Sequence, residues 1–244
     1  MTIPIEASAR HAHLTRQAVE KLFGPGVSLA RQRALSQPGE FLAEQRIKVV
    51  TPAGELANVA VLGPARGAVQ VELSLTDACT LGLDAPIRLS GDLRGAADVV
   101  LVGPAGAMEA PGSAIVAQAH VHMTPADARA CNVSDGDILC VRTGSARPVV
   151  FENVAARVSE KFALAMHIDF DEANACALQP GDVGTLLECS SNEEQRIVID
   201  EKLITEEKAK RLISQGKLTL RKGTIITPAA RDVFTQAKTQ IAFV

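Results

Sequence analysis

Short apolar runs, broken by glycine and proline, set the rhythm of this chain as far as about Glu188. Ile47–Val50, Val59–Leu62, Val69–Leu73, Ile87–Leu89, Val99–Val102, Ile138–Val141 and Val149–Phe151 each read as a strand. Many short strands with turn signals at close spacing predict barrels or sandwiches. A second unit occurs three times without gaps: Thr76–Leu83, Ala126–Val133 and Asp171–Leu178. Each is followed by a turn-rich step (Asp84 to Pro86, Ser134 to Asp137, Gln179 to Asp182) and then by an apolar run, so it predicts a short helix, a turn and a strand.

A longer self-similarity sits above these units. His11-Ala12-His13-Leu14-Thr15 returns as His120-Val121-His122-Met123-Thr124. An apolar run precedes each copy (Ile3 to Ala7, Ala114 to Ala119) and a helical stretch follows (Arg16 to Phe23, Pro125 to Ala130). Thr15 and Thr124 suit helix N-caps, and Pro125 suits a first helical position. The expected architecture is mainly β (α+β): two similar β-barrel domains with short capping helices, over residues 1–107 and 108–190, their boundary near Gly103 to Gly112.

The last segment, residues 191–244, differs in character. From Glu193 onward it holds ten Lys/Arg against seven Asp/Glu, about +3, which leaves about −6 on the rest of a chain of net −3. Thr205 predicts a helix from Glu206 to Gln215 stopped by Gly216. Thr227 and Pro228 open a second from Ala229 to Ala237, and Ile241 to Val244 adds an edge strand. A small C-terminal α/β appendage is the expectation.

Composition removes several classes of function. With no Trp or Tyr and a net charge of −3, neither base stacking nor phosphate-backbone binding is supported, so no nucleic-acid partner is expected. No run approaches the roughly 18 apolar residues of a membrane helix, and Met1 to Ile5 does not open a secretory signal. The five cysteines, Cys79, Cys131, Cys140, Cys176 and Cys189, form no C-x-x-C pair. They read as reduced thiols in a cytosol-like compartment, buried as small hydrophobes.

All five histidines fall at His11, His13, His120, His122 and His167. Alternate residues of a strand share a face, so each H-x-H pair presents two imidazoles to one point, as a metal ion requires. The repetition favours metal over two polar surface pairs. His167, in the apolar run Ala165 to Ile168, reads either as a core histidine or as the third ligand that leaves a coordination position open. Glu72, in Gln70-Val71-Glu72-Leu73, is outward-facing, paired, or a ligand beside His11 and His13. Arg66, in the tight loop Gly63 to Gly67, is either solvated or a guanidinium fork for phosphate or carboxylate.

The stretches Ala7–Leu14, Leu62–Arg66 with Val71-Glu72, Ala117–Met123, and Met166–Asp169 with Asp171–Asn174 also carry a family resemblance. In order and spacing, from about Ile3 to Glu188, the chain resembles phosphate propanoyltransferases of the PduL type, the phosphotransacylases associated with bacterial microcompartments. The resemblance implies two β-barrels and two zinc ions, one held by His11, His13 and Glu72, the other by His120, His122 and His167. It places phosphate on Arg66 and coenzyme A near Ser8, Arg33 and Asn174. The implied reaction converts short-chain acyl-CoA, propanoyl or acetyl, plus phosphate reversibly into acyl phosphate plus CoA, by direct attack of phosphate on the thioester. The implied setting is a bacterial cytoplasm or the inside of a microcompartment, with the C-terminal segment as a docking element for shell or lumen enzymes; a homo-oligomer stays open. The chain departs from the family pattern at Ala53 and Ala60, where basic residues are usual. A di-metal hydrolase and a metal-stabilised scaffold are the competing readings.

Overall fold

The computed structural model describes residues 1–187, 198–199, 201–212, 218–237, 239 and 241–243. The chain divides into two compact units, Met1–Leu187 and Glu188–Val244. The first unit holds two closed six-stranded β-barrels.

Six strands close the first barrel: β2 (His11–His13), β4 (Phe41–Val50), β5 (Glu55–Gly63), β6 (Gln70–Leu73), β8 (Ala97–Val102) and β9 (Ala107–Ala117). They run β4-β5-β2-β6-β9-β8 and back to β4. Two further strands, β3 (Arg31–Ala34) and β7 (Ile87–Arg88), flank this ring on β4 and β9. The second barrel runs in the order β1 (Thr2–Ala7), β13 (Ala165–Ile168), β10 (His120–Met123), β12 (Val150–Val158), β11 (Ile138–Thr143) and β14 (Val183–Leu187). Each barrel encloses its own apolar core. Val49, Val59, Val61, Val71 and Leu101 are fully buried in the first, and Ile3, Val121, Met123, Val141, Val154 and Met166 in the second.

The expected division by chain order needs correction. Strand β1 precedes the first H-x-H pair yet pairs with β13 and β14 of the second barrel, Glu6 lying beside His167 and Ile3 beside Gly184. In the same way β9 precedes the second H-x-H pair but closes the first barrel against β6 and β8. Each barrel is thus completed by the strand that leads into the other. Gly103 to Gly106 turns β8 into β9, through a bond from the Gly103 N–H to the Gly106 carbonyl, and is not a linker. Sequence similarity finds repeated segments but carries no information on which copy a strand pairs with, because both copies are equally apolar.

Local capping fixes the short helices. Thr15 and Thr124 accept from the N–H of Ala18 and Asp127, and open α1 (Arg16–Phe23) and α3 (Pro125–Cys131) directly after the H-x-H strands. Reciprocal capping boxes open α2 (Leu75–Thr80) with Ser74 and Asp77, and α4 (Phe170–Ala175) with Asp169 and Glu172. Of the cysteines only Cys176 is buried; Cys131 and Cys140 are half-buried and Cys79 is exposed, on the outer side of α2, which corrects the reading of all as core residues. Cys189 lies outside the described residues.

The second unit contains α5 (Glu206–Leu212) and α6 (Pro228–Gln236), the latter capped by Thr227. A parallel sheet of β15 (Val198–Ile199), β17 (Leu218–Leu220) and β19 (Ile241–Phe243) and a parallel pair, β16 (Leu203–Ile204) with β18 (Ile225–Ile226), complete it. Ile204, Ala209, Leu218, Leu220, Ala230 and Phe234 form its core. It is an α/β unit, and Gln215 and Gly216, expected to end α5, lie outside the described residues.

Two consequences are measurable. Ile3→Ala empties a fully buried position of the second barrel and should cost about 2–5 kcal/mol in denaturant unfolding. Hydrogen exchange should then quicken in Ala165–Ile168 and Val183–Leu187 before Gln70–Leu73; the opposite order would place β1 in the first barrel. The second concerns Glu172, whose carboxyl burial pushes up to about 7, with the charges of Asp169 and Asp171 adding to the effect. The unfolded chain releases this proton near the ordinary glutamate value and the folded chain holds it, so the stability contribution falls as pH rises from about 4.5 to 7. Glu172→Gln keeps an acceptor for the Asp169 N–H and should make the protein about 1–3 kcal/mol more stable than the parent at pH 8, with no difference at pH 4.

Candidate active site

The strand exchange brings the two H-x-H pairs to the junction of the barrels. Ser8 to Arg10 crosses from β1 to β2, and Gln118 with Ala119 crosses from β9 to β10. Each crossing carbonyl engages the first histidine that follows. His11 Nδ1 lies 2.8 Å from the Ala9 oxygen and His120 Nδ1 2.9 Å from the Gln118 oxygen. A carbonyl only accepts, so Nδ1 carries the hydrogen in both rings and the Nε2 lone pair is left for a cation.

Cross-strand register supplies the third member of each set. His11 stands opposite Glu72 on antiparallel β6, and His120 opposite His167 on antiparallel β13. His11 Nε2 and His13 Nε2 approach Glu72 Oε1 at 3.6 and 3.7 Å, and all three residues are buried. His120 Nε2 and His122 Nε2 are 3.0 Å apart, and the His167 ring centroid lies 5.3 and 4.9 Å from theirs. In each trio one ligand atom per residue falls within 4.8 Å of the others. His13 Nδ1 and His122 Nδ1, on the ring edges away from the converging Nε2 atoms, are buried without a hydrogen-bond partner among the described residues, and His167 Nε2 lies 3.5 Å from Glu6 Oε2.

The protonation states suit cation binding. Burial alone would raise the Glu72 carboxyl, but the His11 charge and the close approach of both histidine rings carry it well below the usual range, so it is ionised. Burial holds His120 down to about 4 and His122 to about 2, with neighbouring His167 and Arg157 pushing the same way. Burial also lowers His13. His11 alone rises: burial opposes its charge, but Glu72 outweighs it. Ionised Glu72 and the imidazoles of His13, His120 and His122, kept neutral by burial, are donors that zinc-like cations take, and a cation at the first trio would stand in for the proton that Glu72 favours on His11. The residues present fit two such ions.

Both trios open into one cavity of about 560 Å³. Arg66 lies on its wall, half-buried, where the loop after β5 returns to bond its own N–H to the Leu14 carbonyl at 2.8 Å. Its Nη2 donates to Glu40 Oε1 at 2.6 Å and its Nη1 to Ser90 Oγ at 3.2 Å. Gln70 continues this chain: its amide donates to Ser90 Oγ and to Glu72 Oε1 at 2.9 and 2.7 Å, and its oxygen accepts the Gly91 N–H. The guanidinium is therefore mechanically connected to the first trio.

Ser8 and Arg33 also line the cavity, whereas Asn174 is exposed on α4 and does not. Ala60 lines it beside Arg46, its cross-strand partner, while Ala53 sits exposed in the β4–β5 turn away from it. None of Cys79, Cys131, Cys140 and Cys176 is on the wall.

Sequence reasoning passed over Arg157, Glu40, Gln37, Gln70 and Ser90. Arg157 stands beside His122 in register, its guanidinium 5.6 Å from the Phe162 ring centre, and no carboxylate pairs with it among the described residues. Burial lowers its pKa. A charged residue in the apolar run Val154 to Val158 was the available signal. Gln37 donates to the Ala163 carbonyl and accepts its N–H, at 3.0 and 3.1 Å, tying the β3–β4 turn to the second barrel. Nothing in the sequence around Gln37 or Glu40 announces these roles, because both sit in a polar turn and act on residues 126 and 26 positions away.

Comparison with known proteins gives the family. The sequence pattern of the phosphate propanoyltransferases matches residues 4–179, most of the chain and all four stretches that hold the trios. The chain belongs to that family. A phosphate propanoyltransferase of Salmonella typhimurium is 50% identical over 174 residues, covering 71% of this chain and 82% of its own length. Those of Clostridioides difficile and Alkaliphilus metalliredigens are 46% and 45% identical over 185 and 187 residues, covering 76% and 77% of this chain and 88% of each relative. As a family member the chain is an acyltransferase enzyme. The phosphate propanoyltransferase match ends at residue 179, before the C-terminal unit, and no described helix is long and apolar enough to cross a membrane.

Proposed function

We propose that the chain is a zinc-dependent phosphotransacylase that interconverts a short-chain acyl-CoA, propanoyl- or acetyl-CoA, and phosphate with acyl phosphate and CoA, by direct attack of phosphate on the thioester. The observation that carries this reading is the meeting of two His-rich trios and the Arg66 guanidinium on one cavity wall, in a member of this family.

His11, His13 and Glu72 would hold one ion and His120, His122 and His167 the other. Bound there, zinc supplies Lewis acidity for the oxyanion that develops as the carbonyl is attacked. The remaining work falls to side chains. Arg66 offers a planar fork that matches phosphate oxygens, and Ser90 and Glu40 fix the plane of that fork before substrate arrives. Free phosphate is a weak nucleophile toward a thioester; holding one oxygen near the carbonyl removes the entropic part of that barrier. Arg157, half-buried and in no ion pair among the described residues, adds a positive charge that favours the incoming anion and the charge building up on attack. Arg33 and Arg46 at the cavity wall suit the phosphates of CoA, with Arg46 standing next to the position where Ala60 replaces a basic residue. With no described cysteine on the wall, a thiol-bound acyl group is not part of the reading.

We also propose a bacterial microcompartment as the setting and the C-terminal unit as a docking element for it, a reading that rests on the family resemblance. A reporter fused to residues 188–244 should co-localise with shells, and a diffuse reporter would remove this docking role. For the chemistry, CoA thiol release from propanoyl- and acetyl-CoA should require phosphate and metal together. Metal analysis should give two ions per chain for the parent and one for His122→Ala. Arg66→Ala should lower kcat/KM for phosphate by about 100-fold or more, as for loss of a charge-stabilising donor. Full metal loading with no phosphate-dependent release would overturn the assignment and favour a di-metal hydrolase or a scaffold.

A further inference from the structure

The anion site around Arg66 contains a carboxylate, and that is unexpected for a pocket that receives a dianion. Glu40 Oε1 accepts from Arg66 Nη2 at 2.6 Å, and among the described residues Oε2 receives no hydrogen bond. Glu40 is not on a loose segment. Its N–H donates to the Gln37 carbonyl and its own carbonyl accepts from the Leu35 N–H, so a closed turn presents the carboxylate to the cavity wall. Apart from Glu72, which belongs to the first trio, the other polar groups near Arg66 are of a different kind: Arg157 donates, the Ser90 hydroxyl can donate as well as accept, and the Gln70 amide gives its hydrogens to Glu72 and Ser90.

An anion whose oxygens are all acceptors is served by donors, and a carboxylate beside it is a pure electrostatic cost. An anion that still carries a proton is different, because its O–H can donate to the carboxylate in a short charge-assisted bond. Near neutral pH both ionic forms of inorganic phosphate carry at least one such proton. Sulfate, with the same shape and the same double charge as hydrogen phosphate, carries none.

We propose that Glu40 is a specificity-determining residue: on the wall shared with Arg66 it accepts the P–O–H hydrogen bond of phosphate and so excludes fully ionised oxyanions such as sulfate. This rests on the reading that Arg66 binds phosphate. The proton it recognises is one the reaction needs. Hydrogen phosphate and acyl-CoA give an acyl phosphate dianion and CoA thiol: a C–O bond forms, the C–S bond breaks, and the phosphate proton ends on sulfur. An oxyanion selected for carrying that proton arrives with the stoichiometry of the products already satisfied. The ion pair with Glu40, at 2.6 Å, also offsets the charge of Arg66.

The test compares phosphate and sulfate on the metal-loaded full chain, by inhibition of phosphate-dependent CoA release and by anion-dependent thermal shift without acyl-CoA. In the parent, sulfate should neither compete at concentrations well above the KM for phosphate nor raise Tm. In Glu40→Gln, whose amide can donate to sulfate, the sulfate inhibition constant should fall about tenfold or more and sulfate should raise Tm. Glu40→Ala, which removes the repulsion and adds no donor, should shift in the same direction by less, and answers the question if the glutamine variant does not fold. Sulfate that binds the parent as well as phosphate does, or that is excluded equally from both variants, would overturn the proposal and leave Glu40 as a structural partner of Arg66. Arg66→Ala separates the two layers: an unchanged KM for phosphate in that variant removes the Arg66 reading itself.

Discussion

The exchange of one strand between two barrels is the constraint on which the remainder of this structure depends. Because β1 leads into the first H-x-H strand while pairing in the second barrel, and β9 does the converse, the chain must cross the junction immediately before each histidine pair. The two crossings put the pairs face to face at the place where the barrels meet. They also leave the Ala9 and Gln118 carbonyls where they can orient His11 and His120. Two separate barrels, each closed by its own strand, would have no such reason to share a cavity.

Electrostatics then follows from burial. Six side chains that ordinarily prefer water are gathered at the junction, and the interior keeps the imidazoles of His120 and His122 neutral while Glu72 stays ionised. Around them stand the cations Arg66 and Arg157, one tied to a carboxylate and one to none among the described residues. Such an arrangement costs stability in a folded core, and it is sustained by capped helices and two well-filled apolar interiors on either side.

Much of this was legible in the chain. Strand positions and the α1 limits, Arg16–Phe23, followed from apolar runs and from Thr15, because these are local properties that tertiary contact only sharpens. The H-x-H pairs were legible for a related reason, since alternate strand residues point two rings to one side; Glu72 and His167 were left open by the residues and named by the family resemblance, and register sets them opposite His11 and His120. Strand exchange was not legible, since pairing partners are chosen by topology, and neither were Gln37 and Glu40, whose partners Ala163 and Arg66 lie far along the chain or across a turn. Asn174, exposed on α4 and off the cavity wall, stands where its surroundings in the structure add nothing to what the motif implies for it.

The equivalence of Glu72 and His167 across the two barrels is nearly perfect in register and unequal in charge. Glu72 faces His11 as His167 faces His120. The carboxylate cancels one unit of a divalent cation's charge, and the imidazole cancels none. A pair of identical ions would thus become two unlike centres in a single cavity: a milder one beside Arg66 and Gln70, suited to hold an anion that must later leave, and a harder electrophile beside Phe162 and Arg157. A duplicated scaffold loaded with two such ions would in this way acquire polarity, and with it a direction from one side of the cavity to the other, through the identity of the ligand opposite each H-x-H pair.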